Sequence, residues 1–304
     1  MLFCMTLPAR NTEFKGQEDV ASLTTAVNAE RDAIIDRTMA GLETGLQVKL
    51  IATYAPHACS PEQSVAAILD DPKLSDFDHF PVIAQGRCIG VLCRDKLPGA
   101  CTIRKHMEPL HDGLLVSAAM PILEFIGLMD DGDDRLMIGG GRVEAIITRS
   151  DLHKLPVRAC VFTLITHLEM VMASIIPQLE EGGDSWLQLL GNKRREQVET
   201  KQQDLKRHRL NQSLVGCTDF CDKRDILAKG LKRAGVLSRT KAENLVDDLK
   251  AIEKQLRNPV AHADSYADDD AHLQGFVGSV KKTRQWIAFL EQQVGKPGAV
   301  AKHR

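Results

Sequence analysis

Arg135-Leu136-Met137-Ile138-Gly139-Gly140-Gly141-Arg142-Val143-Glu144-Ala145-Ile146-Ile147 is the stretch that decides how the first half of this chain folds. Two short runs rich in Ile, Val and Met flank three glycines. The runs are too brief for a buried helix, and glycine is the residue that most easily takes the left-handed conformations of a tight hairpin turn. A glycine run can also cradle a phosphate. Here no Lys-Ser/Thr follows it and both flanks read as strands, so the hairpin is the better reading. Upstream, Phe80-Pro81-Val82-Ile83 and Cys88-Ile89-Gly90-Val91-Leu92 repeat the pattern around a turn at Gly86. A helix-forming segment precedes each hairpin, SPEQSVAAILDD at 60–71 and AMPILEFIGLMDD at 119–131, and a short polar-apolar segment follows it. The segment from 47 to 156 is therefore an internal repeat of a small βαββα unit.

This repeat resembles a tandem pair of CBS modules, the type named for cystathionine β-synthase, whose copies pack into a disc with clefts for adenosine-containing ligands. Ala145-Ile146-Ile147-Thr148-Arg149-Ser150-Asp151-Leu152 carries the resemblance, a hydroxyl residue at the end of a strand followed three positions later by Asp. The resemblance implies that Asp151 accepts ribose hydroxyls while Thr148 reaches a ribose or phosphate oxygen beside a helix N-terminus. Both residue types are also ordinary helix caps. In the first copy Cys93 replaces the hydroxyl and Asp95 follows at a shorter spacing, so one nucleotide site, in the second copy, is implied. Its regulatory ligand would be AMP, ADP, ATP or S-adenosylmethionine.

The rest of the composition sets bounds. The chain has 304 residues, 43% hydrophobic and 26% charged, which suits two folded domains rather than a disordered chain. Lys plus Arg number 39 against 41 Asp plus Glu, and the pI is near 6.6, so charge alone does not make this a nucleic-acid coat. The first ten residues lack the basic leader and apolar run of a signal peptide, and no stretch reads as long and apolar enough to span a bilayer. The eight cysteines are spread without CxxC spacing and read as reduced thiols, which together point to a cytoplasmic protein. Cys217, Cys221 and His208 could supply a metal site, but no second paired motif supports one. Residues 17–45 place Val20, Leu23, Val27, Ile34, Ile35, Met39 and Leu42 at helical spacing, so 1–46 is read as an N-terminal helical extension.

After Leu155-Pro156 the strand pattern ends. Phe162, Ile165, Leu168, Met172, Ile175 and Ile176 make a helical stripe running to about Pro177, and further helices are expected over 193–207, 222–234, 239–256 and 271–293. Ser238 offers the cap before the helix at 239. The fold class is thus α+β, an N-terminal βαββα pair followed by an all-α bundle over 157–293, with a flexible tail at 294–304. The segment 193–209 is basic but interleaved with acids, which reads as a solvated face and is also the best local candidate for an RNA groove.

Within the bundle, Leu256-Arg257-Asn258-Pro259-Val260-Ala261-His262 resembles the R-x4-H mark of the HEPN superfamily, and the opening apolar helix carries Glu169. That resemblance implies a metal-independent endoribonuclease whose site is completed by two copies in a homodimer. Single-stranded RNA is the implied substrate, and 2′,3′-cyclic phosphate and 5′-hydroxyl ends are the products. Histidine titrates near neutrality and suits His262 to acid or base work, and the guanidinium fork of Arg257 suits phosphate oxygens. Asn258 would orient His262 or the substrate. On a straight helix Asn258 and His262 lie about one turn apart, whereas Arg257 is offset from His262 by about 140°. Pro259 is expected to bend the helix and relieve that offset. No cofactor is called for in catalysis. The alternative is a non-catalytic binding or assembly module that senses a nucleotide.

Overall fold

The computed structural model describes residues 33–34, 37–42, 44–94, 97, 101–129, 132, 134–180, 183–262 and 264–293. The chain divides into two compact units, Met1–Leu42 and Glu43–Arg304. In the first, residues 33–34 and 37–42 are helical and Ile34 is exposed. Val20, Leu23, Val27 and Ile35 of the expected stripe lie outside the described residues, as do Asp95 and the tail at 294–304.

In the second unit the strands are β1 (Thr53–Tyr54), β2 (His79–Ala84), β3 (Arg87–Cys93), β4 (Glu108–Pro109), β5 (Leu115–Ser117), β6 (Asp134–Gly139) and β7 (Arg142–Thr148). Short helices α1 (Val65–Leu69) and α2 (Ile122–Ile126) precede the two hairpins. They are much shorter than the segments expected to be helical. Both hairpins turn through two consecutive left-handed residues, Gln85-Gly86 and Gly140-Gly141, the conformation whose twist matches that of paired strands. Each hairpin also carries a register shift at the same place, after Val82 and after Met137.

The copies exchange their leading strands. β1, which precedes the first copy, pairs with β7 of the second, while β4, which precedes the second copy, pairs with β3 of the first. The exchange extends to the backbone before each strand. The Val48 amide donates to the Met120 carbonyl and its counterpart Ile103 to the Gln63 carbonyl, while Ile122 donates to Leu46 and its counterpart Val65 to Cys101. The side chains follow, for Ile103 is buried in the core of the first copy with Phe80, Val82 and Leu92, and Val48 is buried in the core of the second. Gly90 is required at the crossing, because a Cβ there would lie 2.1 Å from the Glu108 carbonyl oxygen.

The helices that follow are α3 (Leu155–Ile175), α4 (Asn192–Arg207), α5 (Phe220–Arg233), α6 (Arg239–Ile252), α7 (Asn258–His262) and α8 (Asp270–Glu291). Ser238 caps α6 as expected, its hydroxyl accepting from the Lys241 amide. Asp219 and Asp222 form a reciprocal capping box on α5, which the sequence reading missed. The core of the second copy continues without a break into the bundle: Phe125, Ile147 and Leu152 belong to one buried cluster with Val157, Val161, Phe276 and Leu290. The stretch Leu155–Gln178 also corrects an expectation, since by length and composition it is apolar enough to cross a membrane. Here half of its apolar window is buried, and Val157, Leu164, Leu168 and Met172 form the centre of the bundle.

Candidate functional site

The strand exchange leaves two clefts related by the repeat. The larger, of about 750 Å³, is lined by Thr53, His57, Asp76, His79, Cys93, Thr148, Ser150 and His153 among others. The other, of about 620 Å³, is lined by His79, Cys93, His106, Glu108, His111, Asp134 and Arg135. His79, Cys93 and Arg149 border both. The bundle reaches each mouth, with Ala267 and Asp268 at the first and Asp270, Leu273 and Gln274 at the second.

Thr148 thus stands at a cleft wall, its hydroxyl 2.9 Å from that of Ser150. Asp151 sits behind the wall and is only 3% exposed. One carboxylate oxygen accepts from the Thr148 amide at 2.7 Å, and the other accepts from the Thr53 hydroxyl at 3.2 Å and pairs with Lys154 at 2.6 Å. Lys154 also donates to the Ile51 carbonyl. Asp151 therefore fastens the exchanged strand β1 to the start of α3. Residues that the sequence reading did not single out, Arg149, Ser150 and His153, share the wall with Thr148.

The second constellation lies where α6 ends. Glu253–Arg257 form a π-helical turn and α7 follows at once. Pro259 has no N–H to offer the carbonyl one turn back, and the turn just before it is widened to a π turn. Arg257 turns toward α3, its Nε donating to Glu169 Oε1 at 3.2 Å and its guanidinium lying 5.8 Å from the Phe220 ring centre. The other Glu169 oxygen is 3.7 Å from Lys223 Nζ, which donates to the Thr218 carbonyl. Burial pushes the Lys223 ammonium below its ordinary pKa, and the nearby Glu169 carboxylate only partly offsets this. Asn258 and His262 are both exposed, so Arg257 is braced within the bundle while His262 is open to solvent.

Arg158 of α3 holds the segment beyond the motif. It donates to the Pro259 carbonyl at 3.4 Å and to the Asp264 carbonyl at 2.7 Å, and it lies over the Tyr266 ring at 5.1 Å. Arg158 and Glu169 are about three turns apart on one helix and share a face, a periodicity that would have flagged them together. That face also presents Leu155 and Phe162, exposed at 77% and 61%, together with Thr166 and Met170. On α4, Arg194 turns inward to Asp222 and Asp219, and only Val198 of that helix is buried, so the rest of the basic segment is largely solvated. Among the described residues no group of three or more His, Cys, Asp or Glu is placed to hold a metal ion.

No protein-family model matches the chain, and no curated protein does either. Among solved structures it is similar to the CBS domain of a bacterial CNNM/CorC family Mg2+ transporter in complex with ATP, at 16% identity and TM-score 0.32, over 40% of this chain and 94% of that one. The CBS domains of a transcriptional regulator from Streptococcus pneumoniae are similar at 20% identity and TM-score 0.31, over 35% of this chain and 95% of that one. Hypoxic Response Protein I with two coordinated zinc ions is similar at 16% identity and TM-score 0.30, over 35% and 95% of the respective chains. The described strands and helices make a mixed α+β architecture.

Proposed function

We propose that this protein is a nucleotide-regulated endoribonuclease, with Arg257, Asn258 and His262 in its HEPN-type site and an adenine nucleotide bound against Thr148 in the CBS-like pair. The observation that carries this reading is the division of labour along the motif: Arg257 is held in place by Glu169, and His262 is exposed where a substrate can reach it. A braced guanidinium is suited to the charge that builds on a phosphorane, and an accessible imidazole to moving protons. In the reaction the ribose 2′-hydroxyl loses its proton and its oxygen attacks phosphorus. The bond to the 5′-oxygen breaks, and that oxygen takes up a proton. A 2′,3′-cyclic phosphate and a 5′-hydroxyl result, and DNA, which lacks the attacking group, is inert.

A composite site requires a second copy, and the apolar stripe of Leu155, Phe162 and Met170 beside Arg158 and Glu169 is where that copy would seat. The test is incubation of the purified protein with single-stranded RNA in EDTA. His262→Ala should lose about a hundred- to ten-thousand-fold in rate, the usual loss when an acid or base is removed. Arg257→Lys should fail as well, since one ammonium does not reproduce the planar fork. A second reading, a nucleotide-sensing binding module without catalysis, draws support from Asp264, Asp268, Asp269 and Asp270 just beyond the motif, whose charge opposes RNA there. Absence of cleavage with every RNA, with or without nucleotide, would favour it.

A further inference from the structure

Arg149 borders both clefts, and it is already engaged: its guanidinium donates to Asp270 Oδ1 at 2.5 Å. Asp270 belongs to the bundle. It opens α8 directly after the segment 264–269, and the exposed His262 lies two positions before that segment. The same segment meets the CBS-like pair at His153, which is within 3.3 Å of the Ser265 hydroxyl and stacks on Tyr266 at 6.5 Å. The short connection between the two proposed sites therefore carries a carboxylate that occupies the cation at the clefts.

We propose that Arg149 is the phosphate-binding residue of the sensor and that Asp270 is a built-in anionic competitor for it. A nucleotide phosphate entering either cleft takes the guanidinium from Asp270 and so loosens residues 264–270 behind the motif. This inference rests on the nucleotide-binding reading above and adds to it the moiety recognised and the route by which occupancy is felt in the bundle. The energetics allow the exchange. Asp270 is 83% exposed, so its pair with Arg149 is a weak surface pair, whereas a phosphate can accept two charge-assisted hydrogen bonds from one guanidinium. The neighbouring Asp269 remains in place as the N-cap of α8, accepting from the His272 amide, so the helix start is kept when Asp270 lets go.

The experiment compares the full chain with Asp270→Asn by calorimetry, using adenosine, AMP and ATP. ATP and AMP should bind Asp270→Asn tighter by roughly two- to fivefold, the range set by the strength of an exposed pair, while adenosine binds both proteins equally. Arg149→Gln should reduce the affinity for ATP and AMP to that for adenosine. Amide exchange over 264–270 should accelerate when ATP is added to the wild-type chain. Equal ATP affinity in the two proteins, or an unchanged exchange rate at saturating ATP, overturns the competition and leaves nucleotide binding standing. If no nucleotide binds either protein, the nucleotide-binding reading falls and this inference falls with it.

Discussion

Asp222 shows how much a single carboxylate does in this bundle. It closes the capping box of α5 by accepting from the Asp219 amide, and it receives Arg194 from α4 at 2.9 Å. Burial opposes its ionised form, but the Arg194 hydrogen bonds and the Asp219 amide outweigh burial and hold its pKa below the usual carboxylate range. A pKa lower in the folded than in the unfolded chain means that the contribution is complete above the unfolded value, about 3.9, and is lost as pH falls through the folded one. Asp222→Asn should therefore lower stability by about 1–3 kcal/mol at neutral pH, and the gap from wild type should close in denaturant titrations carried out in acid below about pH 3.9. Residues of this kind were the least legible in the sequence. Asp222, Arg149 and Arg158 are unremarkable charges until the fold supplies their partners, whereas Thr148 and His262 stood in recognisable spacings.

The hairpins were legible because two signals agree, short apolar runs and, between them, glycines that accept positive φ. The exchanged strands were not. Two residues, as in Thr53–Tyr54 or Glu108–Pro109, are too few to show a period, and their pairing is decided by the turn and strand they meet across the molecule. Gly90 is the sensitive point of that pairing. Gly90→Val should displace β4 and, with it, the cleft wall containing Glu108 and His111, lowering stability by about 1–3 kcal/mol in thermal or denaturant melts. The exposed face of α3 gives a contrasting expectation. Phe162→Glu adds a charge at a side chain that is 61% exposed, so stability should change by less than about 0.5 kcal/mol. Light scattering should nonetheless report loss of the proposed dimer, and the RNA assay loss of cleavage. A wild-type monomer at micromolar concentration would count against the composite site.

For the molecule as a whole, the change of pattern at Leu155-Pro156 marks a change of secondary structure without a gap in the core. Ile147, Leu152, Val157 and Val161 are buried in one cluster on either side of it. A chain ending at residue 156, or one beginning at 157, would expose a large apolar face. Calorimetry of the full chain should show the second copy and the bundle melting in one transition, and fragments split there should be poorly soluble and bind hydrophobic dyes. Two separate transitions, one matching an isolated 157–293 fragment, would show that the shared core is energetically minor. The strand exchange constrains the order of events as well. β1 leaves the ribosome early but must wait for Ile146 and Ala145, nearly a whole repeat after its own copy has been made. Closing such a distant contact costs loop entropy before it returns any stability, so the sheet of the first copy is complete once β4 has followed it, whereas β1 stays unpaired until the second hairpin is out. A nascent chain stalled before that hairpin would be an open sheet edge with a loose strand, the kind of surface that chaperones bind.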